Sequence, residues 1–293
     1  MKKYLSLIKF AHTIFALPFA LLGLFLGFKY MDVNQIEPDK PYWLSFILVI
    51  LCMVFARSAA MAFNRWIDRD IDAQNARTQQ REIPSGAVTP RQAALFVILN
   101  SILFWATTWF INPLCFYLAP VALLVILGYS YTKRFTALCH LVLGLGLALA
   151  PVGAFIAVTA QFQWEPIILG LVVLTWVSGF DIIYALQDDE FDRSLDLYSI
   201  PVLLGKDRAL LVSTLLHFFS TGMIILFGIM MQVGWIYWIG ASAFIVLLAY
   251  QHVLVKPNDL SKVNLAFFTT NGIASVIFGA FAIGELLVGA ALF

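Results

Sequence analysis

The sequence predicts an all-α, polytopic integral membrane protein of about nine transmembrane helices around a central cavity. Three observations carry that prediction. Of its 293 residues, 61% are hydrophobic and 12% charged, whereas a soluble domain is roughly half apolar and about a quarter charged. The apolar residues gather into segments of roughly 20, the length that crosses a hydrocarbon core as a helix. The charges lie between these segments and mainly on one side.

Nine apolar segments are expected, at 7–27, 42–63, 93–110, 113–131, 138–160, 167–186, 210–231, 235–254 and 265–287. The first follows Met1-Lys2-Lys3 and superficially resembles a signal peptide. It runs on without a small-residue cleavage site, which makes it a span. Ile111-Asn112-Pro113 and Gln232-Val233-Gly234 divide two otherwise overlong runs, because Asn, Pro and Gly interrupt helices at a membrane surface. Trp109, Trp164, Trp235 and Trp238 fall near span ends, as interfacial anchors do. The chain reads as one transmembrane domain over 1–293, with two similar halves of about 1–135 and 136–293.

Orientation follows from counting basic residues by side. With the N-terminus inside, Lys2, Lys3, Lys9, Arg65, Arg69, Arg77, Arg81, Arg91, Lys133, Arg134, Arg193, Lys206, Arg208, Lys256 and Lys262 are inside, which is 15 of the 18 Lys and Arg. Lys29 and Lys40 lie outside, and Arg57 lies within a span. This asymmetry places the N-terminus and the long second and sixth loops in the cytoplasm of a cell (inner) membrane protein. Cys52, Cys115 and Cys139 have neither paired nor metal-ligand spacing and read as apolar fillers.

Eleven of the 17 acidic residues fall in two places, four from Asp68 to Glu82 and seven from Asp181 to Asp207. Both places continue even-numbered spans at their inner ends. In the first, Asn64, Asp68 and Asp72 recur every four residues, so a persisting helix aligns them on one face. Two carboxylates and an amide on one stripe form a hard-oxygen surface suited to Mg²⁺. Arg57 lies about two turns deeper on the same face. An arginine there costs at least about 2.5 kcal/mol unless it faces a cavity or a partner. It is a candidate dock for a substrate carboxylate, the alternative being a pair with a structural carboxylate.

In the second place, Asp181, Tyr184, Asp188 and Asp192 are spaced three, four and four, and again share a face. Carboxylates from two helices cannot converge uncompensated, because like charges repel. A divalent metal bridging them to an anion resolves that. The counter-charges are Arg77 and Arg81 in the second loop and Lys133 at the inner end of the fourth span, four residues after Tyr129. Arginine forks and a lysine point charge at one cavity mouth suit a diphosphate. His12, His140, His217 and His252 sit singly with no second ligand at helical spacing, and read as satisfied interior histidines.

At these residues the sequence resembles the UbiA family of membrane prenyltransferases. Asn64, Asp68 and Asp72 match its first aspartate motif, while Asp188 and Asp192, with Asp181 upstream, match its second. Tyr129 and Lys133 match its Tyr-x-x-x-Lys pattern, and Arg77-Thr78 through Arg81 to Pro84-Ser85-Gly86 resembles its basic second loop. Arg65 departs from the pattern, standing where many relatives carry Asp, and so costs a possible metal ligand. The first span, with His12-Thr13-Ile14-Phe15, looks more like quinone-pathway relatives that use other aromatic acids.

The resemblance implies transfer of a polyprenyl group from its diphosphate to an aromatic acid such as 4-hydroxybenzoate or a dihydroxynaphthoate. Asp68, Asp72, Asp188 and Asp192 would hold Mg²⁺, and Asn64, Arg77, Arg81, Tyr129 and Lys133 the diphosphate. Arg57, Asp181 and Tyr184 would serve the aromatic acid. Lipid bilayer, prenyl diphosphate and aromatic acid are the expected partners, and no nucleic acid is. A cation or proton transporter is the competing class. It calls for acidic groups spread through the membrane depth, whereas here only Asp181 and Arg57 are deep.

Overall fold

The computed structural model describes residues 6–7 and 16–289, and every regular element within them is helical. Lys2, Lys3, Lys9, His12 and most of the first half of the expected first span lie outside the described residues. The helices are α1 (Leu17–Val33), α2 (Tyr42–Ile67), α3 (Arg69–Gln74), α4 (Pro90–Trp109), α5 (Pro113–Thr132), α6 (Cys139–Thr159) and α7 (Trp164–Ala185). After them come α8 (Asp189–Ser194), α9 (Ile200–Leu204), α10 (Lys206–Met230), α11 (Trp235–Leu254), a π-helical turn at Leu265–Thr270, and α12 (Asn271–Val288).

Among the described residues, eight helices are long and apolar enough to cross a membrane, counting the π-helical turn with α12. α1 supplies a further 17 helical residues. Their starts follow local chemistry. Thr89 accepts a hydrogen bond from the Gln92 N–H and Gln92 returns one to the Thr89 N–H, so a capping box opens α4. Asn112 accepts from the Cys115 N–H at 2.8 Å and Pro113 takes the first helical position, which together make the expected turn and open α5.

α7 is enclosed on most sides, packing against α6 and α10, while α1 lies between α6 and α12. An aromatic cluster fills this half: Phe19 lies 5.3 Å from Trp176 and 5.6 Å from Phe278, ring centre to ring centre, and Trp176 lies 5.4 Å from Phe244. Inside a bilayer, helices associate by close packing rather than by escaping water, so small residues at crossings matter. A Cβ at Gly23 would stand 2.1 Å from the Pro151 carbonyl oxygen, and one at Gly144 would stand 2.4 Å from that of Leu174. These two glycines set the α1–α6 and α6–α7 approaches.

The outward faces suit lipid. Leu95, Leu99 and Ile102 on α4, Tyr117 and Leu124 on α5, and Leu215 and Phe218 on α10 are all exposed. Trp43, Trp109, Trp164 and Trp235 are also exposed and stand at the helix ends away from the aspartates. Trp238, expected as a further anchor, instead packs half-buried against the core beside Gly228.

At the opposite end, the same turn is built twice. α2 ends at Ile67 with Asp68 as its cap, and α7 ends at Ala185 with Leu186 as its cap and a break at Asp188; each break is followed by a six-residue helix, α3 or α8. The Asp72 N–H donates to the Asp68 carbonyl and the Asp192 N–H to that of Asp188, each at 2.7 Å. Those bonds open the two short helices; across the first break the Asp68 N–H still reaches the Asn64 carbonyl at 3.0 Å, whereas across the second the Asp188 N–H reaches back only to that of Ala185 at 3.0 Å.

Candidate active site

A cavity of about 1090 Å³ opens between α2, α5, α6 and α7. Its deeper walls are apolar, with Met53, Val125, Leu143, Leu147 and Phe180 among them. All of Arg57, Asn64, Asp68, Asp72, Arg77, Arg81, Tyr129, Lys133, Asp181, Tyr184, Asp188 and Asp192 line it. Helical spacing explains how sparse polar residues within apolar helices reach one space.

The carboxylates meet basic partners there. Asp68, with 3% of its side chain exposed, accepts from Lys133 Nζ at 2.6 Å and from Arg134 Nη2 at 2.8 Å, and Asn64 Nδ2 lies 3.2 Å away. Arg81 Nη1 lies 2.7 Å from Asp72 Oδ1, while the buried Asp72 Oδ2 has no hydrogen-bond partner among the described residues. Arg77 donates through Nε and Nη2 to the two oxygens of Asp188 and through Nη1 to the Tyr184 hydroxyl at 2.7 Å. Asn75 Nδ2 adds a bond to Asp188 at 3.1 Å. The loop after the first acidic segment is thereby fastened to the second.

These pairs set the charges at the mouth. Burial works against the Arg77 cation, but its pairing with Asp188 outweighs that and holds its pKa above the usual guanidinium value. Asp192 is pushed up to about 6, first by burial and then by the Asp188 carboxylate, against the pull of Lys133 and Arg77. Deeper in, Arg57 Nε is buried without a partner among the described residues.

Three contributors escaped the sequence reading: Asn75, Arg134 and His140. Arg134 adjoins Lys133 and could have been included on that ground. His140 is no isolated core histidine, since its Nδ1 lies 2.7 Å from Asp181 Oδ2 and the Ile200 N–H points at its Nε2 at 3.3 Å. A backbone N–H can only donate, so Nε2 accepts, and the Nδ1 proton faces Asp181. His217 and His252, likewise expected to be single, lie Nδ1 to Nε2 at 2.8 Å between α10 and α11.

The donor set fits magnesium. Among the described residues, no three His, Cys, Asp or Glu side chains form a ready cage. Mg²⁺ commonly takes one or two carboxylates, keeps waters and shares substrate phosphates. Two carboxylate pairs lining one cavity, with the Asp72 oxygen left over, provide that chemistry.

Known proteins share this arrangement of helices. The UbiA prenyltransferase family model matches residues 35–273. A 4-hydroxybenzoate octaprenyltransferase of Aliivibrio salmonicida is 31% identical over 252 residues, covering 84% of this chain and 86% of that protein. One from Saccharophagus degradans is 28% identical over 247 residues, covering 84% and 82%. Of solved structures, an apo UbiA homolog from Aeropyrum pernix K1 superposes with a TM-score of 0.83 at 31% identity, covering 94% of this chain and 98% of that one. A UbiA homolog from Archaeoglobus fulgidus bound to GPP and Mg²⁺ shares the fold, with a TM-score of 0.73 at 23% identity, covering 98% of this chain and all of the other.

Proposed function

The chain belongs to the UbiA prenyltransferase family, and from that premise we propose that it moves a polyprenyl group from its diphosphate to an aromatic acid. 4-Hydroxybenzoate is the acceptor named for its relatives, and the reaction belongs to quinone biosynthesis. One observation carries the reading: Arg77 clamps Asp188, drawing both acidic segments to the mouth of a single apolar chamber. A transport path would instead string its carboxylates through the bilayer.

In this reading, the prenyl chain lies along the apolar walls with its diphosphate at the charged end. Asp68, Asp72, Asp188 and Asp192 would hold Mg²⁺, which supplies positive charge to the departing diphosphate. Lys133, Arg81 and Arg77, now spent on aspartates, are placed to shift onto the phosphate oxygens. The allylic carbon–oxygen bond breaks, the ring carbon bonds to that allylic carbon, and the ring proton leaves to Asp181 or to diphosphate. Water would intercept an allylic cation, so the dry walls protect it. With the positive loops inward, the mouth faces the cytoplasm.

Arg57 would hold the acceptor's carboxylate. Arg57→Ala is expected to raise the KM for the aromatic acid about ten- to a hundredfold, as loss of a charged hydrogen-bonding partner does. The KM for prenyl diphosphate should stay within about threefold. An equal rise in both constants would remove Arg57 from that role.

The raised pKa of Asp192 carries a pH dependence. Below about 6 it is neutral, and above about 6 it is charged and available to a cation. The Mg²⁺ concentration giving half-maximal rate should therefore climb as pH drops through 6, and Asp192→Asn should flatten that climb. Magnesium titrations between pH 5 and 8 measure it, and identical slopes in both proteins would count against the assignment.

A further inference from the structure

Arg65 stands on the last turn of α2, only 5% exposed, lining the same cavity. Its Nη1 is buried with no hydrogen-bond partner among the described residues. A buried charged donor left unmade costs more than a neutral one, so a fold keeps such a group only when something else answers it. The charges around it are mixed: Asp72 and Glu82 attract it, and Arg81 repels it. Asp72 already gives Oδ1 to Arg81. The carbonyl end of α2 offsets part of the cost, since cations are favoured at helix C-termini.

We propose that Arg65 is a resident cation for the diphosphate of the substrate, gripping it without the help of a divalent metal. The proposal deepens the prenyl diphosphate reading above and rests on it for the identity of the anion. Position along α2 separates it from Arg57. Eight residues of helix span about 12 Å, so Arg57 addresses the deep part of the chamber while Arg65 stands level with Asn64 and Asp68. An anion arriving beside Asp68 and Asp72 comes to the wall that Arg65 lines, where a rotation of the guanidinium would bring Nη1 onto it. Guanidinium stays protonated at any physiological pH and offers a planar fork to phosphate oxygens, so its contribution persists when magnesium is scarce.

The test uses the full chain in lipid nanodiscs, with inorganic diphosphate as the probe and excess EDTA throughout. Thermal unfolding is followed for the native protein, Arg65→Gln, Arg65→Met and Arg65→Lys. Without diphosphate, both neutral variants should melt at or above the native temperature, because they remove a buried donor that meets no acceptor among the described residues. Diphosphate should stabilise the native protein, and the concentration for half the effect should rise at least about tenfold in the neutral variants but only about threefold in Arg65→Lys.

Failure of both neutral variants to fold would give Arg65 a structural role and overturn the proposal. It is equally overturned if diphosphate without metal does not stabilise the native protein, or if it stabilises all variants alike. Loss of the stabilisation given by 4-hydroxybenzoate in place of diphosphate would move the residue to the acceptor and also end it. If no aromatic acid is prenylated while the diphosphate effect still depends on Arg65, the acceptor reading fails and this assignment stands.

Discussion

Asp188→Ala is expected to lower prenyl transfer at least about a thousandfold, roughly 4 kcal/mol of barrier. Two losses combine. The substitution deletes a proposed metal donor from the second acidic segment, and it frees Arg77 and Asn75, which both hold Asp188. The loop carrying Arg77 would then lose its anchor to α7, so the basic side of the mouth loses its position as well as its partner. Asp188 is a better choice than Asp68 because Asp68 is buried between Lys133, Arg134 and Asn64. Removing one member of a buried pair costs about 3 to 5 kcal/mol of stability, which would blur folding and chemistry. Asp188→Asn sharpens the test further, since its amide oxygen can still accept from Arg77 Nε and Asn75, while its NH₂ replaces the oxygen that Arg77 Nη2 held and no charge is left for a metal. It should fold, melt below the native protein by the loss of that one charged bond, about 1 to 3 kcal/mol, and remain nearly inactive in nanodiscs at saturating magnesium. Retention of more than a tenth of native kcat/KM by Asp188→Asn would show that the carboxylate charge is dispensable.

Asp181→Asn is the second large effect, with kcat expected to fall about a hundred- to a thousandfold, the range for losing one group aimed at developing charge. Asp181 faces the cavity from α7, and the His140 Nδ1 proton holds one of its oxygens. The other oxygen can answer positive charge on the ring or take its proton. An asparagine can still accept from His140, so geometry persists while charge goes, and the KM for prenyl diphosphate should stay within about threefold. His140→Leu separates positioning from chemistry: kcat should fall on the order of tenfold, and the buried Ile200 N–H loses its acceptor at a cost of about 1 to 3 kcal/mol. His140→Gln, able to hydrogen-bond again, should recover part of both. If Asp181→Asn reacted as fast as the native protein, Asp181 would have no part in the chemical step.

The sequence disclosed whatever was periodic. Asn64, Asp68 and Asp72, like Asp181, Tyr184, Asp188 and Asp192, share a face because i and i+4 do so in any helix. What joins the two faces was illegible. Arg134 and Asp68 are 66 residues apart, Asn75 and Asp188 are 113 apart, and His140 and Asp181 are 41 apart. No spacing rule reaches across such separations, so His140 passed for an isolated core residue. Arg77 was expected to serve an anion and was found paired with Asp188, 111 residues along the chain. Neither helix break, at Asp68 or Asp188, is marked by glycine or proline, the usual interrupters.

The π-helical turn at Leu265–Thr270 fixes what evolution can do to the last helix. There the backbone N–H groups reach back five residues rather than four, and side chains take up neighbouring carbonyls: the Thr270 hydroxyl donates to that of Leu265, and Asn271 Nδ2 to those of Ala266 and Phe267. A π-helical turn takes one residue more than an α-helical turn to complete about the same revolution, so dropping a single residue from it would leave an ordinary α-helix with all that follows facing nearly as before. Beyond it, within α12, losing one residue turns the remainder by about 100°, and Glu285, which caps the start of α11 through the Gly234 N–H, would swing away. The π-helical turn is thus a place where a one-residue length change is absorbed, whereas one-residue insertions or deletions between Asn271 and Glu285 should be absent from working copies of this chain.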